Sequence, residues 1–281
     1  AIVDEAAALG VQRVMVLGGG EPLLSPAFPA VARRVKHHGL HGFLTTNGTR
    51  LDVLAPLLAE IGWDEVHVSI DGATPATHDA LRGREGAFAR AVAGACRLRR
   101  RGVRLGLHAV LTNRNVDELA ALVRLAAALG AWRLEVDTLV AYRPEQRALA
   151  LGPAETARLP ARVAEARAEA ERLGISTTLD RLGGTRGENP PPPGTGDGLA
   201  GAPCLKAWHH LVVQADGRTA PCCVLSGIAG SVAETSLAEV WANDPTFGSI
   251  RTGMLAGKPT GRCVECSANI LAHEHAIRAR L

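Results

Sequence analysis

At 281 residues, 47% hydrophobic and 21% charged, the chain is long enough to bury a substantial core, either as one α/β domain or as a domain of ~200 residues with a smaller companion, without disulfide staples. A net charge of +3 and only 3% aromatic residues supply neither the field nor the stacking surface of a nucleic-acid binder, so no nucleic-acid partner is expected. No apolar run reaches the ~18 residues that cross a bilayer, since even Leu119 to Leu129 is broken by Arg124; no membrane partner is expected, and with no visible signal peptide a cytoplasmic location with reduced thiols is.

The chain opens on Ala1 inside an amphipathic pattern (Ile2, Val3, Ala6, Leu9), which reads as the interior of a longer protein. From there to about Tyr142, short β-branched runs alternate with helix-like stretches, the pattern of repeated βα units and a parallel sheet. Strands are predicted at Arg13–Leu17, Gly42–Thr46, Glu65–Ile70, Arg104–Val110 and Arg133–Thr138. Helices are predicted at Ala27–His38, Leu51–Ile61, Thr74–Leu81, Gly86–Arg101 and Val116–Leu129, the last started by Asn115 with Glu118 three residues on. Right-handed crossovers wind such units into a curved sheet or barrel. A charged helix, Pro153–Leu173, and a short strand, Ile175–Leu179, follow.

Residues 183–201, with Asn189 and four successive prolines, carry too many breakers for regular structure and read as a linker between a first domain, 1–182, and a second, 202–281. The second begins with a hairpin, Leu211–Gln214 and Arg218–Pro221, around the turn pair Asp216-Gly217. Helices Leu237–Trp241, with Ser236 and Glu239 as a capping box, and Pro245–Leu255 come next.

Ligands of parallel α/β folds sit where strand carboxyl ends meet the loops. Three of those ends are polar and bear glycine: Gly18-Gly19-Gly20-Glu21-Pro22, Thr46-Asn47-Gly48 and Ser69-Ile70-Asp71-Gly72. Glycine lets backbone amides and carbonyls approach an amino-acid ammonium or carboxylate, and Ser or Asp suits sugar hydroxyls. Glu135 and Asp137, ending the fifth strand, are further substrate-facing candidates.

Cys263-Val264-Glu265-Cys266 is a metal knuckle whose two thiolates turn onto one ion or cluster, with Cys204 and Cys222 available to complete four ligands. These residues alone fit a four-thiolate zinc site and an iron-sulfur cluster equally. Cys223 adjoins Cys222, but adjacent strand residues face opposite ways, so one of the two reaches the site; the spacing from Gly217 favours Cys222. Cys96 reads as a small apolar helix residue, and His209, His210, His273 and His275 as surface or hairpin residues.

The order of the three strand ends resembles the radical S-adenosylmethionine (SAM) superfamily, and Cys204…Gly217…Cys222…Trp241…Arg251…Cys263-x-x-Cys266 is similar to its SPASM/twitch extension. The resemblance implies a partial (β/α)6 barrel lacking its first strand, followed by a small cysteine-rich domain. It implies that Gly19, Gly20 and Glu21 take the methionyl amino group of S-adenosyl-L-methionine, that Ser69 and Asp71 lie near its ribose, and that Asn47 and Arg82 border the same pocket. It also implies one auxiliary 4Fe-4S cluster on Cys204, Cys222, Cys263 and Cys266, a 5′-deoxyadenosyl radical, a peptide or small-molecule substrate, and an electron donor such as a flavodoxin or ferredoxin.

The family's CxxxCxxC loop, which holds the radical-generating cluster, precedes the Gly-Gly-Glu-Pro segment; the 17 residues before Gly18 contain no Cys. The expectation is therefore a fragment of such an enzyme, unable to turn over without that loop, or else a non-catalytic iron-sulfur or zinc-binding relative acting in binding or maturation.

Overall fold

The structure is a computed structural model that describes residues 1–139, 141, 144–182, 204–225, 227–258 and 263. It divides into two compact units, Val11–Gly183, and Ala1–Gly10 together with Gly184–Leu281. The predicted linker, 183–201, lies outside the described residues.

The first unit is built on six parallel strands in sequential order: β1 Arg13–Val16, β2 His41–Thr46, β3 Glu65–Ser69, β4 Arg104–Leu111, β5 Arg133–Thr138 and β6 Ser176–Thr177. Helices α2 Phe28–His37, α3 Leu51–Glu60, α4 Pro75–Arg82, α5 Ala87–Arg100, α6 Leu119–Ala128, α7 Pro144–Arg147 and α8 Pro153–Leu173 lie in the crossovers. α3 packs on α5, and α6 on α8. This is the α/β architecture expected from the sequence, and the last strand is shorter than predicted because the chain turns into a 3-10 helix at Leu179–Arg181.

Side chains alternate across each strand. Leu44, Val66, Val68, Leu105, Leu107, Leu134 and Val136 point to the helix layer and are almost fully buried; each such side chain contributes about 1.5–3 kcal/mol. The opposite face carries Phe43, Glu65, His67, Ser69, His108 and Glu135. The strand registers set these in rungs, Phe43–Glu65–Arg104, then Thr45–His67–Gly106–Arg133, then Ser69–His108–Glu135.

Gly106 makes the second rung possible. A Cβ there would stand 2.3 Å from His67 Nε2 and 2.4 Å from its Cδ2, so the imidazole lies flat across the glycine. Stacking against Phe43, centroids 4.7 Å apart, fixes its other side.

The second unit combines α1 Ile2–Ala8, α9 Lys206–His209, α10 Leu237–Asn243, α11 Pro245–Leu255 and the antiparallel strands β7 Val212–Val213, β8 Arg218–Ala220 and β9 Ala229–Ser231. The amphipathic opening pattern is α1, which packs on α10 and whose Glu5 accepts the Leu237 amide at 2.6 Å. Strand β9 carries no alternating apolar run and was not predicted. The predicted capping box is half formed: Ser236 accepts the Glu239 amide at 3.1 Å, but the Glu239 carboxylate bonds Asn243 at 2.9 Å instead of reaching back. Arg251 ties three helices together, donating to the carbonyls of Ala207 (3.0 Å) and Trp241 (2.8 Å) with its guanidinium over the Trp241 ring.

Gly106→Ala should cost about 1–3 kcal/mol of stability through overpacking against the His67 ring. Urea unfolding checks this, and in a His67→Ala background the same change should cost little, because the ring it strikes is gone.

Candidate functional site

The loop after β1 is drawn onto the end of β2 by one carboxylate. Glu21 Oε1 accepts the Leu23 amide at 3.1 Å and the Thr46 hydroxyl at 2.5 Å, while Oε2 accepts the Asn47 amide at 2.7 Å. Gly18 is pressed against the loop's own backbone, where a Cβ would overlap the Gly20 carbonyl. Gly19 and Gly20 face open space, with nothing within 4 Å of a Cβ built on either. The peptide groups of this turn are therefore open to a ligand, and the Glu21 side chain is committed to holding the turn. The Asn47 side chain closes a local turn through Thr49, accepting its amide at 2.9 Å and its hydroxyl at 2.7 Å.

The ends of β3 and β4 are locked together around Asp71. Asp71 is buried; its Oδ1 accepts the Val110 amide at 3.0 Å and its Oδ2 pairs with Arg82 Nε at 2.8 Å. Its own amide donates to His78 Nδ1 at 3.1 Å, and its carbonyl accepts from Asn115 Nδ2 at 2.6 Å. Ser69, also buried, has no hydrogen-bond partner for its hydroxyl among the described residues. The structure thus brings Ser69, Asp71 and Arg82 to one part of the rim and Gly19, Gly20, Glu21 and Asn47 to another.

Asn115 and Glu118 do not cap a helix as the sequence pattern suggests. The chain there begins as a 3-10 turn, Val116–Glu118, and Asn115 makes no cap hydrogen bond. Asn115 instead donates to the Asp71 and Val110 carbonyls (2.6 and 2.8 Å) and accepts the Thr112 amide at 2.7 Å. Glu118 accepts the Ala73 amide at 2.6 Å and the Thr77 hydroxyl, holding the start of α4.

Below the rim, the inward face carries a polar ladder of which the sequence reading named only Glu135 and Asp137. His67 Nε2 lies 2.7 Å from Glu65 Oε1, and its Nδ1 is 3.4 Å from Glu135 Oε2 without hydrogen-bond geometry. Glu135 also pairs with Arg133 at 3.0 Å. Burial pushes the Glu135 carboxyl up, but the close approach of His67, with the His67, Arg133 and His108 charges, outweighs it and leaves it below the usual value. One rung higher, His108 Nε2 stands 3.0 Å from Asp137 Oδ2. The alternation of polar residues at 65, 67 and 69, at 104 and 108 on either side of Gly106, and at 133, 135 and 137 was the available signal.

In the second unit Cys204, Cys222 and Cys263 all pack against one small core of Ala207, Ala220, Leu225, Ile250 and Met254. Cys223 is exposed. Burial raises the Cys263 thiol above its ordinary range, and the proximity of Cys222 raises it further. Among the described residues no group of three or more Cys, His, Asp or Glu is close enough to hold a metal ion; Cys266, the fourth predicted ligand, lies outside them, as do His273 and His275. His210 bonds the Pro221 carbonyl at 3.3 Å, and Cys96 is half-buried on α5.

The family model described as the radical SAM superfamily matches residues 1–126, and that of the SPASM iron-sulfur cluster-binding domain matches residues 204–267. A PqqA peptide cyclase of Methylobacterium sp. (strain 4-46) is 32% identical, over 93% of this chain and 68% of its own length. The chain belongs to the radical SAM superfamily. A PqqA peptide cyclase of Ruegeria pomeroyi is 33% identical over 88% of this chain and 65% of its own length, and an AdoMet-dependent heme synthase of Methanosarcina barkeri is 29% identical over 89% and 73%. Among solved structures, Streptococcus suis SuiB bound to S-adenosylmethionine superposes with a TM-score of 0.71 at 18% identity, over 89% of this chain and 59% of SuiB. SuiB bound to its precursor peptide SuiA gives 0.66 at 19% identity, over 89% and 58%. The radical SAM chain therefore spans about three fifths to two thirds of the length of most of these proteins, and the structural likeness speaks for the fold.

His78 supplies a pH test of the rim. Burial, and secondarily the Arg82 charge, holds its imidazole below the histidine reference of 6.5, against the opposing pull of Asp71 and Asp79. The neutral ring is the one that accepts the Asp71 amide. Because the folded value is depressed, its contribution to stability is present above pH 6.5 and is lost as the pH falls below 6.5 towards the folded value. Chemical unfolding across that window should show wild-type stability declining on acidification, and His78→Gln should flatten the decline.

Proposed function

We propose that this radical SAM chain serves a SAM-dependent radical oxidation of a peptide substrate, with SAM cleaved at a CxxxCxxC-bound 4Fe-4S cluster whose cysteines these 281 residues do not contain, and with one auxiliary 4Fe-4S cluster in its second unit. The observation that carries the reading is the ordered set of strand ends on one rim, Gly18 to Glu21, Thr46 to Gly48 and Ser69 to Gly72, each clamped by a carboxylate or amide side chain from a neighbouring loop. Open space at Gly19 and Gly20 and the unpartnered Ser69 hydroxyl suit a ligand with an amino-acid end and a sugar.

S-adenosyl-L-methionine bound there, reduced by one electron from the CxxxCxxC-bound cluster, would supply the radical that removes hydrogen from substrate. The Gly19-Gly20 peptide groups would hold its amino-acid end, and Ser69 its ribose. The inward ladder would line the substrate side of the site. The His108–Asp137 pair would hold a proton at His108 Nε2 close to the rim. Rigid strands under these groups preserve their spacing and exclude water.

The thiol donor set suits iron: Cys204, Cys222 and Cys263 share one core, and Cys266 is three residues beyond Cys263 in the chain. Thiolate ligation requires these thiols to release their protons as the metal binds; a reducing cytoplasmic setting would keep them from forming disulfides, and a flavodoxin- or ferredoxin-like donor would supply the electron for SAM cleavage. A peptide substrate is supported by the PqqA peptide cyclases and by the SuiB–SuiA complex.

Anaerobic purification of the full-length protein, with iron, sulfide and zinc assays and SAM binding, tests the reading. Cys204→Ala, Cys222→Ala, Cys263→Ala and Cys266→Ala should each lower iron content and visible absorbance, whereas Cys223→Ala should not. A colourless zinc protein, or one that does not bind SAM, would overturn it.

A further inference from the structure

We propose that Asp71 is a positioning residue that aims Arg82 at the cofactor, and that it does not itself touch the ribose. The inference rests on the SAM-binding reading and assigns a division of labour within that site.

Every polar group of Asp71 is already engaged. Oδ1 accepts the Val110 amide, Oδ2 takes Arg82 Nε, the Asp71 amide donates to His78 Nδ1 and its carbonyl accepts from Asn115. The carboxylate is buried, with 11% of its side chain exposed, so a ribose hydroxyl could reach it only by displacing the Val110 hydrogen bond or the Arg82 ion pair.

Arg82 presents the opposite case. It sits in the last turn of α4, which ends at Gly83 in a left-handed conformation, and its side chain is 32% exposed. Asp71 engages the guanidinium through Nε alone, and Nη1 and Nη2 have no partner among the described residues. A planar fork with one edge anchored and the other free is suited to a carboxylate or a pair of vicinal hydroxyls, the two polar ends of a nucleoside-linked amino acid.

His78 and Asn115 complete the device. They grip the Asp71 backbone from α4 and from the loop after β4, so the Asp71–Arg82 pair is referenced to two elements at once. Glu118 reinforces the connection through Ala73 and Thr77.

A double-mutant cycle on the anaerobically reconstituted full-length protein separates the roles. Asp71→Asn keeps an oxygen to accept the Val110 amide but removes the charge that orients Arg82. Arg82→Gln and Asp71→Asn should each weaken SAM binding by about 10-fold, and the double variant should also be weakened by about 10-fold, because the second change removes nothing further. A product of about 100-fold would mean that both residues contact the ligand independently and would overturn the proposal, as would wild-type affinity in Asp71→Asn.

A ligand-free readout runs alongside. The Arg82 Nε resonance, assigned by its loss in Arg82→Gln, should shift when Asp71→Asn removes the carboxylate charge 2.8 Å from it; an unchanged resonance would also overturn the proposal. A wild-type protein whose Arg82 resonance responds to Asp71 in this way but which binds no SAM would instead defeat the cofactor reading, and the positioning role with it.

Discussion

A strand buried on both faces can turn polar groups inward only if each finds a partner there. The central strands of this sheet meet that constraint largely through ion pairs, with His67 Nδ1 and Arg133 Nε held beside Glu135 without hydrogen bonds, and the rest of the first unit follows from that arrangement. Outward positions of β3, β4 and β5 are Val, Leu and Ala beneath helices, so nothing on that side needs pairing. Inward positions carry Glu65, His67, Glu135 and Arg133, and the register sets acid beside base in successive rungs. Shifting one strand by a single residue would send His67 or Glu135 into the apolar layer and Leu134 or Val66 into the polar one, so the ladder also enforces register. Gly106 belongs to the same solution, since a flat imidazole paired at its edge needs an opposite residue without a side chain.

The rim repeats the logic with backbone amides. Amides at the strand ends and in the loops beyond them are taken up by three carboxylates: Glu21 for Leu23 and Asn47, Asp71 for Val110 near the end of β4, and Glu118 for Ala73. Glu21, Asp71 and Glu118 each bridge two loops separated in sequence, so the clamps join neighbouring strand ends into one surface. A carboxylate accepting such bonds is held in a single orientation, which is the condition a binding site built on loops must meet. The groups left open, the Gly19 and Gly20 peptides, the Ser69 hydroxyl and the outer edge of Arg82, are those that the clamps do not use.

The strands and the glycine-bearing ends were legible in the sequence because their signals are local: apolar alternation, turn glycines and the two-residue cysteine spacing. Asn115 was misread for the same reason. Asn followed by Glu three residues later is a good local cap pattern, yet a buried carbonyl on Asp71, 44 residues away, outcompetes the helix for its side chain. His78 carries no sequence signal of its acceptor role, which depends on how the chain between β3 and α4 folds back on itself. Strand β9 is Ala-Gly-Ser, without β propensity, and exists because β8 offers it an edge and because Asp244 holds the Gly230 amide at 2.8 Å.

The second unit poses the converse problem. Where the first unit buries large aliphatic layers, the core shared by the cysteines has Ala207, Ala220, Leu225, Ile250 and Met254, with Cys204, Cys222 and Cys263 packed on it. A core of that size supplies little net stability once chain entropy is charged against it. Buried thiols add small apolar volume when protonated and strong metal ligands when not. Closing several of them on one inorganic centre would turn metal affinity into folding free energy, as in other small cysteine-bearing units. The exposed Cys223 stands outside that arrangement although it adjoins Cys222, because packing against the core, and not proximity in sequence, decides which thiol of the pair can join the others.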